Sequence, residues 1–343
     1  MTDQTLATYS NLSIYSAMAV LTLAMILYAV HLARLMPSKE REPKRELVPV
    51  GAEVGAVGTD AGVGIAAGDS ASTLTGGAID CGWGNLVEEA WVEPAGARKA
   101  AGMAWMLTLL GTALVVLGVA LRAAEVHRWP LGNMYEFAIV GSMFALLVYC
   151  GWALRRDLRW LGLFVVTPVL LTLGLAITVW YTDAAELMPS LKSVWLAIHV
   201  TVATLSVALF GIGASIALIY LIKDRVPLTG KLGFLRRLPE GPALEKLAYG
   251  LHIVAFPLWT FTLIAGAIWA RQAWGAYWNW DPKEVWTFVI WAVYAAYLHA
   301  RATTGVSRRA ATWIAVAGFA CIIINYAVVN MWFVGQHSYS GIS

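Results

Sequence analysis

Long apolar runs dominate this sequence and restrict the folds that it can adopt. Of its 343 residues, 59% are hydrophobic and 13% are charged, against about 25% charged residues in ordinary globular domains. A helix needs about 20 apolar residues to cross the roughly 30 Å hydrocarbon core of a bilayer. We therefore predict an all-α polytopic membrane protein with about eight transmembrane helices, at roughly 12–35, 102–121, 134–154, 160–180, 195–222, 248–270, 284–300 and 311–334.

The basic residues predict how these helices cross the membrane. Eight spans place both termini on one side, and Lys and Arg concentrate in cytoplasmic connections. The connections after spans one, three, five and seven hold 19 of the 24 basic residues, whereas the other side holds only Arg122, Arg128, Lys192, Arg271 and Lys283. Both termini are thus predicted to lie outside the cell, in a protein of the plasma membrane. The net charge of +3 reflects this inner-face bias and does not indicate nucleic-acid binding.

Three regions differ in composition. Residues 1–36 form the first predicted span, which follows Thr2-Asp3-Gln4 and lacks the basic start of a signal peptide, so we expect it to be retained. Residues 37–101 begin with mixed charges and continue with Gly, Ala, Val, Ser and Thr. Such a segment buries too little apolar surface to offset its ordering entropy, so it is predicted to be a disordered cytoplasmic loop. Residues 102–343 form a seven-helix membrane domain.

An external segment of that domain, residues 271–284, is unusually rich in aromatic residues. It contains Trp274, Trp278 and Trp280, followed at once by Asp281-Pro282-Lys283-Glu284. Flat indole rings suit a planar ligand, although tryptophans also gather at any membrane interface. The acidic residue before proline, with Glu284 three positions later, is equally typical of a helix N-terminus with a capping box.

Two histidines are predicted at the same outer level as this segment. His199 lies about one turn into span five, and His337 directly follows span eight. Two imidazoles beside an aromatic floor match the needs of a metalloporphyrin with two axial histidines. The alternative is one satisfied helix-end histidine and one surface histidine.

The remaining histidines are predicted elsewhere. His299 lies 15 residues after Glu284, so it is roughly 22 Å deeper, in the inner leaflet. His252, placed at the inner start of span six, could form an inner pair with it but is better explained as an interfacial helix-end residue. His31 and His127 are also interpreted as structural. Cys81, Cys150 and Cys321 show no metal or redox spacing, and the chain has no C-x-x-C-H haem-attachment motif.

Several motifs together resemble one known family. The stretch W-G-x-Y-W-x-W-D-P-K-E at 274–284 is similar to the tryptophan-rich signature of haem-handling proteins of cytochrome c biogenesis. Residues 129–137, 195–200, 298–301 and 335–339 narrow the resemblance to the CcsA or ResC type of System II, whose actinobacterial members are often called CcsB. The similarity extends from about residue 100 to the end.

The resemblance implies a function and a set of site residues. It implies that the chain moves haem b to the outer face and joins it to the C-x-x-C-H motif of apocytochrome c, as a component of a holocytochrome c synthase. His199 and His337 would bind the iron externally, on a platform running from Trp274 to Asp281. His299 would contribute to an inner haem site whose second ligand comes from a separate ResB/CcsB-like membrane partner. Apocytochrome c and thiol-reducing proteins are the other implied partners.

Other functional classes stay open at this point. A haem-presenting chaperone or exporter without synthase activity would share the tryptophan segment. A b-type electron-transfer cytochrome would pair histidines on facing helices and would not need that segment. A small-molecule transporter would show related halves with broken helices, and no such internal symmetry is visible in the sequence.

Overall fold

The described chain is built from helices that run nearly the thickness of a bilayer. The computed structural model describes residues 2–35, 93–184, 192–225 and 230–337. In chain order the helices are α1 (Asp3–Arg34), α2 (Ala95–Val126), α3 (Met134–Ala153), α4 (Gly162–Thr178), α5 (Val194–Arg225), α6 (Gly241–Trp274), α7 (Pro282–Ala302), α8 (Arg308–Ile323) and α9 (Asn330–Trp332). Short 3₁₀ helices precede α4 and α6, at Arg159–Leu161 and Gly230–Arg237, and a π-helical turn, Ile324–Val329, joins α8 to α9.

Polar side chains define where several helices start. Asn133 caps α3 by accepting from the Glu136 backbone N–H at 2.8 Å, and Ser307 caps α8 by accepting from the Ala310 N–H at 3.1 Å. These caps satisfy N–H groups that the first helical turn cannot satisfy itself. α6 ends at Gly275, whose φ of 82° is the left-handed conformation that glycine adopts without steric cost.

The all-helical membrane fold is confirmed for the described residues, which contain no strand. Seven helical segments among them are long and apolar enough to span a bilayer: α1, α2, α3, Arg159–Thr178, α5, α6 and Arg308–Trp332. α7, the remaining predicted span, has 21 residues and is therefore about 31 Å long. Its Trp, Tyr and His residues make it less apolar than the other seven.

The region predicted as a disordered loop is described only at its end. Residues 95–101 form the first turns of α2. The helix therefore starts seven residues before the predicted boundary. Its first turns contain Arg98 and Lys99, so they lie outside the apolar run from which the span was predicted. Residues 37–92 lie outside the described residues.

Two helix pairs make the most extensive contacts, α1 with α2 and α5 with α6. In the first pair, small residues of α2 let α1 approach closely: Ser10 Oγ donates to the Gly118 carbonyl at 2.9 Å, and Ser13 Oγ donates to the Leu114 carbonyl at 2.8 Å. In the second pair, Ser206 Oγ donates to the Ala255 carbonyl at 2.8 Å. Small residues and interhelical hydrogen bonds of this kind drive association where lipid offers no hydrophobic gain.

We predict that Gly111→Ala destabilises the protein and that Gly102→Ala, on the same helix, does not. A Cβ on Gly111 would lie 2.7 Å from Cγ of the buried Leu21, whereas a Cβ on Gly102 has no neighbour within 4 Å. Overpacking of this kind costs about 1–3 kcal/mol. Thermal unfolding of the detergent-purified chain should therefore show a lower Tm for Gly111→Ala only, and equal Tm values would contradict the described α1–α2 packing.

Candidate functional site

A cavity of about 600 Å³ lies among α3, α4, α5, α6, α8 and the segment between α6 and α7. Its walls are mainly apolar and aromatic, and its volume falls in the range of ordinary small-molecule sites. The residues that matter for its chemistry are His199, His337, Trp269, Trp278, Lys283 and Glu284. Two histidines separated widely in sequence therefore line one cavity.

His199 is held by the neighbouring helix α6. Its Nδ1 donates to the Thr262 carbonyl at 2.9 Å. Because a carbonyl only accepts, Nδ1 carries the proton, and the Nε2 lone pair is left available to a ligand. Gly266, one turn further along α6, leaves room for the ring: a Cβ there would lie 2.7 Å from Cε1 and 2.9 Å from Nδ1 of His199.

His337 is held by the carboxylate of Asp281. Its Nδ1 lies 2.8 Å from Asp281 Oδ2, and a carboxylate acceptor again places the proton on Nδ1 and leaves Nε2 as the available nitrogen. The same carboxylate accepts from the Gln336 backbone N–H at 2.6 Å. Gly335 packs against Asp281 so closely that a side chain there would collide with it.

Asp281 has a second function as the N-cap of α7. Its Oδ2 accepts from the Lys283 N–H at 3.1 Å, and the Glu284 carboxylate accepts from the Asp281 N–H at 3.1 Å, which completes a capping box. Burial alone would raise the pKa of Asp281. The hydrogen bond from His337, with those from the Gln336 and Lys283 amides, outweighs burial and holds that pKa below its usual value. Asp281 is therefore ionised at neutral pH and can orient the imidazole.

The tryptophans of segment 271–284 occupy different places. Trp278 lines the cavity. Trp274 packs edge-on against the His337 ring, with centroids 4.6 Å apart. Trp280 has 77% of its surface exposed and a left-handed φ of 59°, so its side chain lies outside the cavity. The three predicted platform tryptophans thus have different roles: Trp278 lines the cavity, Trp274 supports His337 and Trp280 lies at the surface.

Trp269 contacts both histidines but was not among the residues predicted from the sequence. Its ring stacks on His199 at a centroid distance of 6.2 Å and an angle of 12°, and meets His337 edge-on at 5.6 Å. It lies in the apolar span α6, where a tryptophan looks like an interface residue. A weak signal existed: Thr262, Gly266 and Trp269 follow the i, i+4, i+7 spacing of one helix face.

Another part of the cavity wall is formed by the loop before α3. This loop belongs to the Trp129–Phe137 sequence that contributed to the family resemblance. Leu131, Gly132, Asn133 and Met134 line the cavity. Glu136, fully buried, holds this loop by accepting from the Gly132 N–H at 2.7 Å and from the Arg128 guanidinium at 2.7 Å. The Arg122 Nε also donates to it at 3.2 Å. This buried ion cluster fixes the shape of one cavity wall.

The other predicted histidines lie away from the cavity. His299 is exposed near the end of α7. The prediction that His252 is an interfacial helix-end residue is wrong: α6 begins at Gly241, so His252 lies eleven residues inside the helix and is fully buried. It packs between Phe210, Tyr294 and Tyr297. The first turns of α6 contain polar residues, so the apolar pattern placed the start of the helix too late in the sequence.

Helices of membrane-spanning length around an aromatic cavity lined by two imidazoles define a multi-pass membrane protein. The chain belongs to the cytochrome c assembly protein family, whose sequence profile it matches over residues 129–337. All the cavity residues discussed above lie within that range. The chain therefore acts in cytochrome c maturation, in a family that handles haem.

Individual relatives agree with this assignment. The chain is 32% identical over 280 residues to "Cytochrome c biogenesis protein CcsA" of Parasynechococcus marenigrum strain WH8102, covering 73% of this chain and 89% of the relative. It is 34% identical over 255 residues to the protein of the same name from Guillardia theta, covering 68% and 83%. The CcsA-type prediction is confirmed at the level of the family.

We predict that Asp281→Asn reduces cytochrome c maturation about 10- to 100-fold, because His337 loses the carboxylate that orients its imidazole. Asparagine still caps helices well, so α7 should start normally while His337 loses its carboxylate partner. The yield of haem-bound cytochrome c, measured in cells that carry only the variant, tests this. Asp157→Asn, on the exposed loop before α4, is the control, and wild-type yield from Asp281→Asn would contradict the role.

Proposed function

We propose that the cavity binds haem on the outer side of the membrane, with His199 Nε2 and His337 Nε2 as the two axial ligands of the iron. The observation that carries this proposal is the shared hydrogen-bond pattern of the two imidazoles. Both line one cavity, and each donates from Nδ1 to a fixed acceptor. Metal-binding histidines almost always have such a partner, because it fixes the tautomer and the ring orientation and raises ligand basicity.

The aromatic and apolar walls fit the rest of the ligand. A porphyrin ring exposes two flat apolar faces, and Trp269, Trp278 and Trp259 line the cavity together with aliphatic side chains. Such walls exclude water from the iron and favour the haem over a hydrated metal ion. We infer that Trp274 and Trp280 serve the site indirectly, the first by packing on His337 and the second at the outer surface.

We further propose that eight helices cross the plasma membrane, with α7 as the eighth span and both termini outside. The charge distribution supports this topology. Arg301, Arg308 and Glu245 cluster at the end of the bundle opposite the cavity, where Arg301 forms an ion pair with Glu245 and Arg308 lies 3.8 Å from it. An excess of Lys and Arg at one end is typical of the cytoplasmic side. Residues 271–284 are then extracytoplasmic.

In this topology the chain delivers haem to apocytochrome c and holds it during attachment. Each cysteine of a C-x-x-C-H motif adds its S–H across a haem vinyl group, forming a C–S bond and a C–H bond with no net redox change. This chain contributes positioning, since holding both reactants in one geometry removes several kcal/mol of barrier, up to about 10. The histidine of the motif can then replace one of the two axial imidazoles and release the product.

The family resemblance also supports a partner. We propose that a ResB/CcsB-like membrane protein, together with His299, completes an inner haem site from which the outer cavity is supplied. The exposed position of His299 on α7 leaves it accessible to another chain. Thiol-reducing proteins would keep the cysteines of the apocytochrome reactive.

We predict that His199→Gly or His337→Gly abolishes cytochrome c maturation and that added imidazole partly restores it. Glycine leaves a space at the ligand position, and free imidazole can enter it and supply the missing nitrogen. The measurements are the yield of haem-bound cytochrome c and the visible spectrum of the purified chain.

His127→Gly is the matched control for this pair. His127 ends α2 with a left-handed φ of 51° that glycine adopts easily, and it does not line the cavity. Normal maturation by both cavity variants would refute the proposal. A haem spectrum without any covalent attachment, in the presence of partner and apocytochrome, would instead favour a haem-presenting chaperone.

We also predict that Gly266→Ala weakens haem binding while Gly250→Ala, on the same helix, leaves it unchanged. A Cβ on Gly266 would push the His199 ring off the Thr262 carbonyl, whereas a Cβ on Gly250 has no neighbour within 4 Å. Loss of an orienting partner costs about 10- to 100-fold in metal affinity. Haem titration of both purified variants measures the difference, and equal affinities would show that His199 orientation is unimportant.

A further inference from the structure

One corner of the cavity carries a buried lysine that forms no direct ion pair. Lys283 lines the cavity, and its Nζ donates to the backbone carbonyl of Asn325 at 3.0 Å. Among the residues that the structure describes, no carboxylate forms an ion pair with this ammonium group. The charge of Asp281 acts on it only from a distance, and an ammonium group that has left water without a directly bonded anion costs several kcal/mol. Its presence therefore calls for an explanation.

The position of Lys283 on α7 makes the unpaired charge more costly. It is the second residue of the helix, after Asp281 as the N-cap and Pro282. The N-terminus of a helix carries a partial positive charge, so a cation there is disfavoured. Helix stability alone therefore does not account for a lysine at this position. A negatively charged group bound in the cavity would relieve both costs.

The groups around Lys283 have unused hydrogen-bonding capacity. Asn325 Oδ1 and Glu284 Oε1 are buried and have no hydrogen-bond partner among the described residues. The second Glu284 oxygen, Oε2, is occupied by the backbone N–H groups of Asn279 and Asp281, at 2.8 and 3.1 Å. Buried acceptors without donors are rare in folded proteins.

Asn325 lies in the π-helical turn Ile324–Val329, a type of distortion that is frequent at functional sites. Its side-chain amide can rotate to present either its oxygen or its NH₂ group. Lys283 Nζ and Asn325 Nδ2 then donate together to one carboxylate, while Glu284 Oε1 accepts from a water molecule that accompanies it.

We propose that Lys283, together with Asn325, binds a carboxylate group of the ligand in this cavity. This inference rests on the proposed function, and it specifies how the ligand is recognised: as an anionic porphyrin whose propionate enters the Lys283 corner while the iron lies between the imidazoles. Lys283 is two residues from Asp281, the partner of His337, so both contacts are fixed by the start of α7. One short segment thus sets the in-plane rotation of the ring as well as its axial ligand.

The in-plane rotation matters for the attachment reaction. The two propionates lie on one edge of the porphyrin and the vinyl groups lie elsewhere on the ring, so anchoring a propionate determines which part of the cavity the vinyl groups face. A ring bound only through its iron could rotate about the axis joining the two imidazoles. The Lys283 contact would suppress that rotation and contribute to the positioning of the vinyl groups.

The test compares two probes that differ in the charge of their propionate groups: iron protoporphyrin IX and its dimethyl ester, in which both carboxylates are masked. The full chain, purified in detergent, is titrated with each probe, and affinity and the visible spectrum are recorded. Hydrogen bonds to charged groups contribute about ten- to a hundredfold in affinity. We expect wild type to bind the free acid at least about tenfold more tightly than the ester.

Three variants make the comparison specific. Lys283→Met keeps an unbranched side chain, shorter by only its terminal nitrogen, and removes the charge. It should bind both probes with the affinity that wild type has for the ester. Lys283→Arg keeps the charge and should retain the preference for the free acid. Lys246→Met, which changes an exposed lysine on α6, should behave as wild type.

The outcomes separate this inference from the proposed function. An unchanged preference for the free acid in Lys283→Met, with the spectrum of two-histidine ligation intact, would overturn the carboxylate contact and leave the haem site standing. Equal affinity of wild type for the two probes would also overturn the carboxylate contact and leave the haem site standing. Absence of a two-histidine spectrum in wild type with either probe would overturn the proposed function and this inference with it.

Discussion

The carboxylate of Asp281 is the group on which most of the cavity site depends. It accepts from the Lys283 amide and so starts α7, and it accepts from the Gln336 amide and from His337, which return from the far end of the chain. A single buried anion therefore joins two segments that are more than 50 residues apart. Each of these three hydrogen bonds to a charged group is worth more than a neutral hydrogen bond, and their loss would release both the start of α7 and His337.

His199 is positioned by a different physical means. Its ring is fixed by the close packing of α5 against α6, where Gly266 makes room and the Thr262 carbonyl accepts its proton. These contacts form when the two helices pack and need no charged group. The two imidazoles therefore differ in how they can move: displacing His199 disturbs a helix interface, whereas displacing His337 breaks one hydrogen bond to Asp281 and two ring contacts. In the proposed haem site, His337 is therefore the ligand that an incoming histidine can replace with less disruption.

The sequence allowed prediction of the parts that depend on local chemistry. Apolar length predicted the helices, and the spacing of Asp281, Pro282 and Glu284 predicted the capping box that is observed. It did not allow prediction of contacts across helices. Trp269 contacts both imidazoles only because α6 packs beside α5 and beside the end of the chain. His252 lies well inside α6 because the helix begins with turns that contain polar residues, which the apolar pattern did not reveal. The unequal placement of Trp278 and Trp280 likewise depends on backbone conformation, which residue type does not specify.

That backbone conformation is itself a consequence of the capping box. Trp280 has a left-handed φ of 59°, which costs a residue other than glycine on the order of 1–2 kcal/mol. The cost is offset because Glu284 Oε2 accepts from the amides on both sides of Trp280, those of Asn279 and Asp281. Holding both neighbours fixes the turn, and the turn sends Trp278 to the cavity while Trp280 lies at the surface. The two carboxylates of this segment thus act in complementary ways: Asp281 orients the imidazole of His337, and Glu284 sets the backbone that orients the indoles.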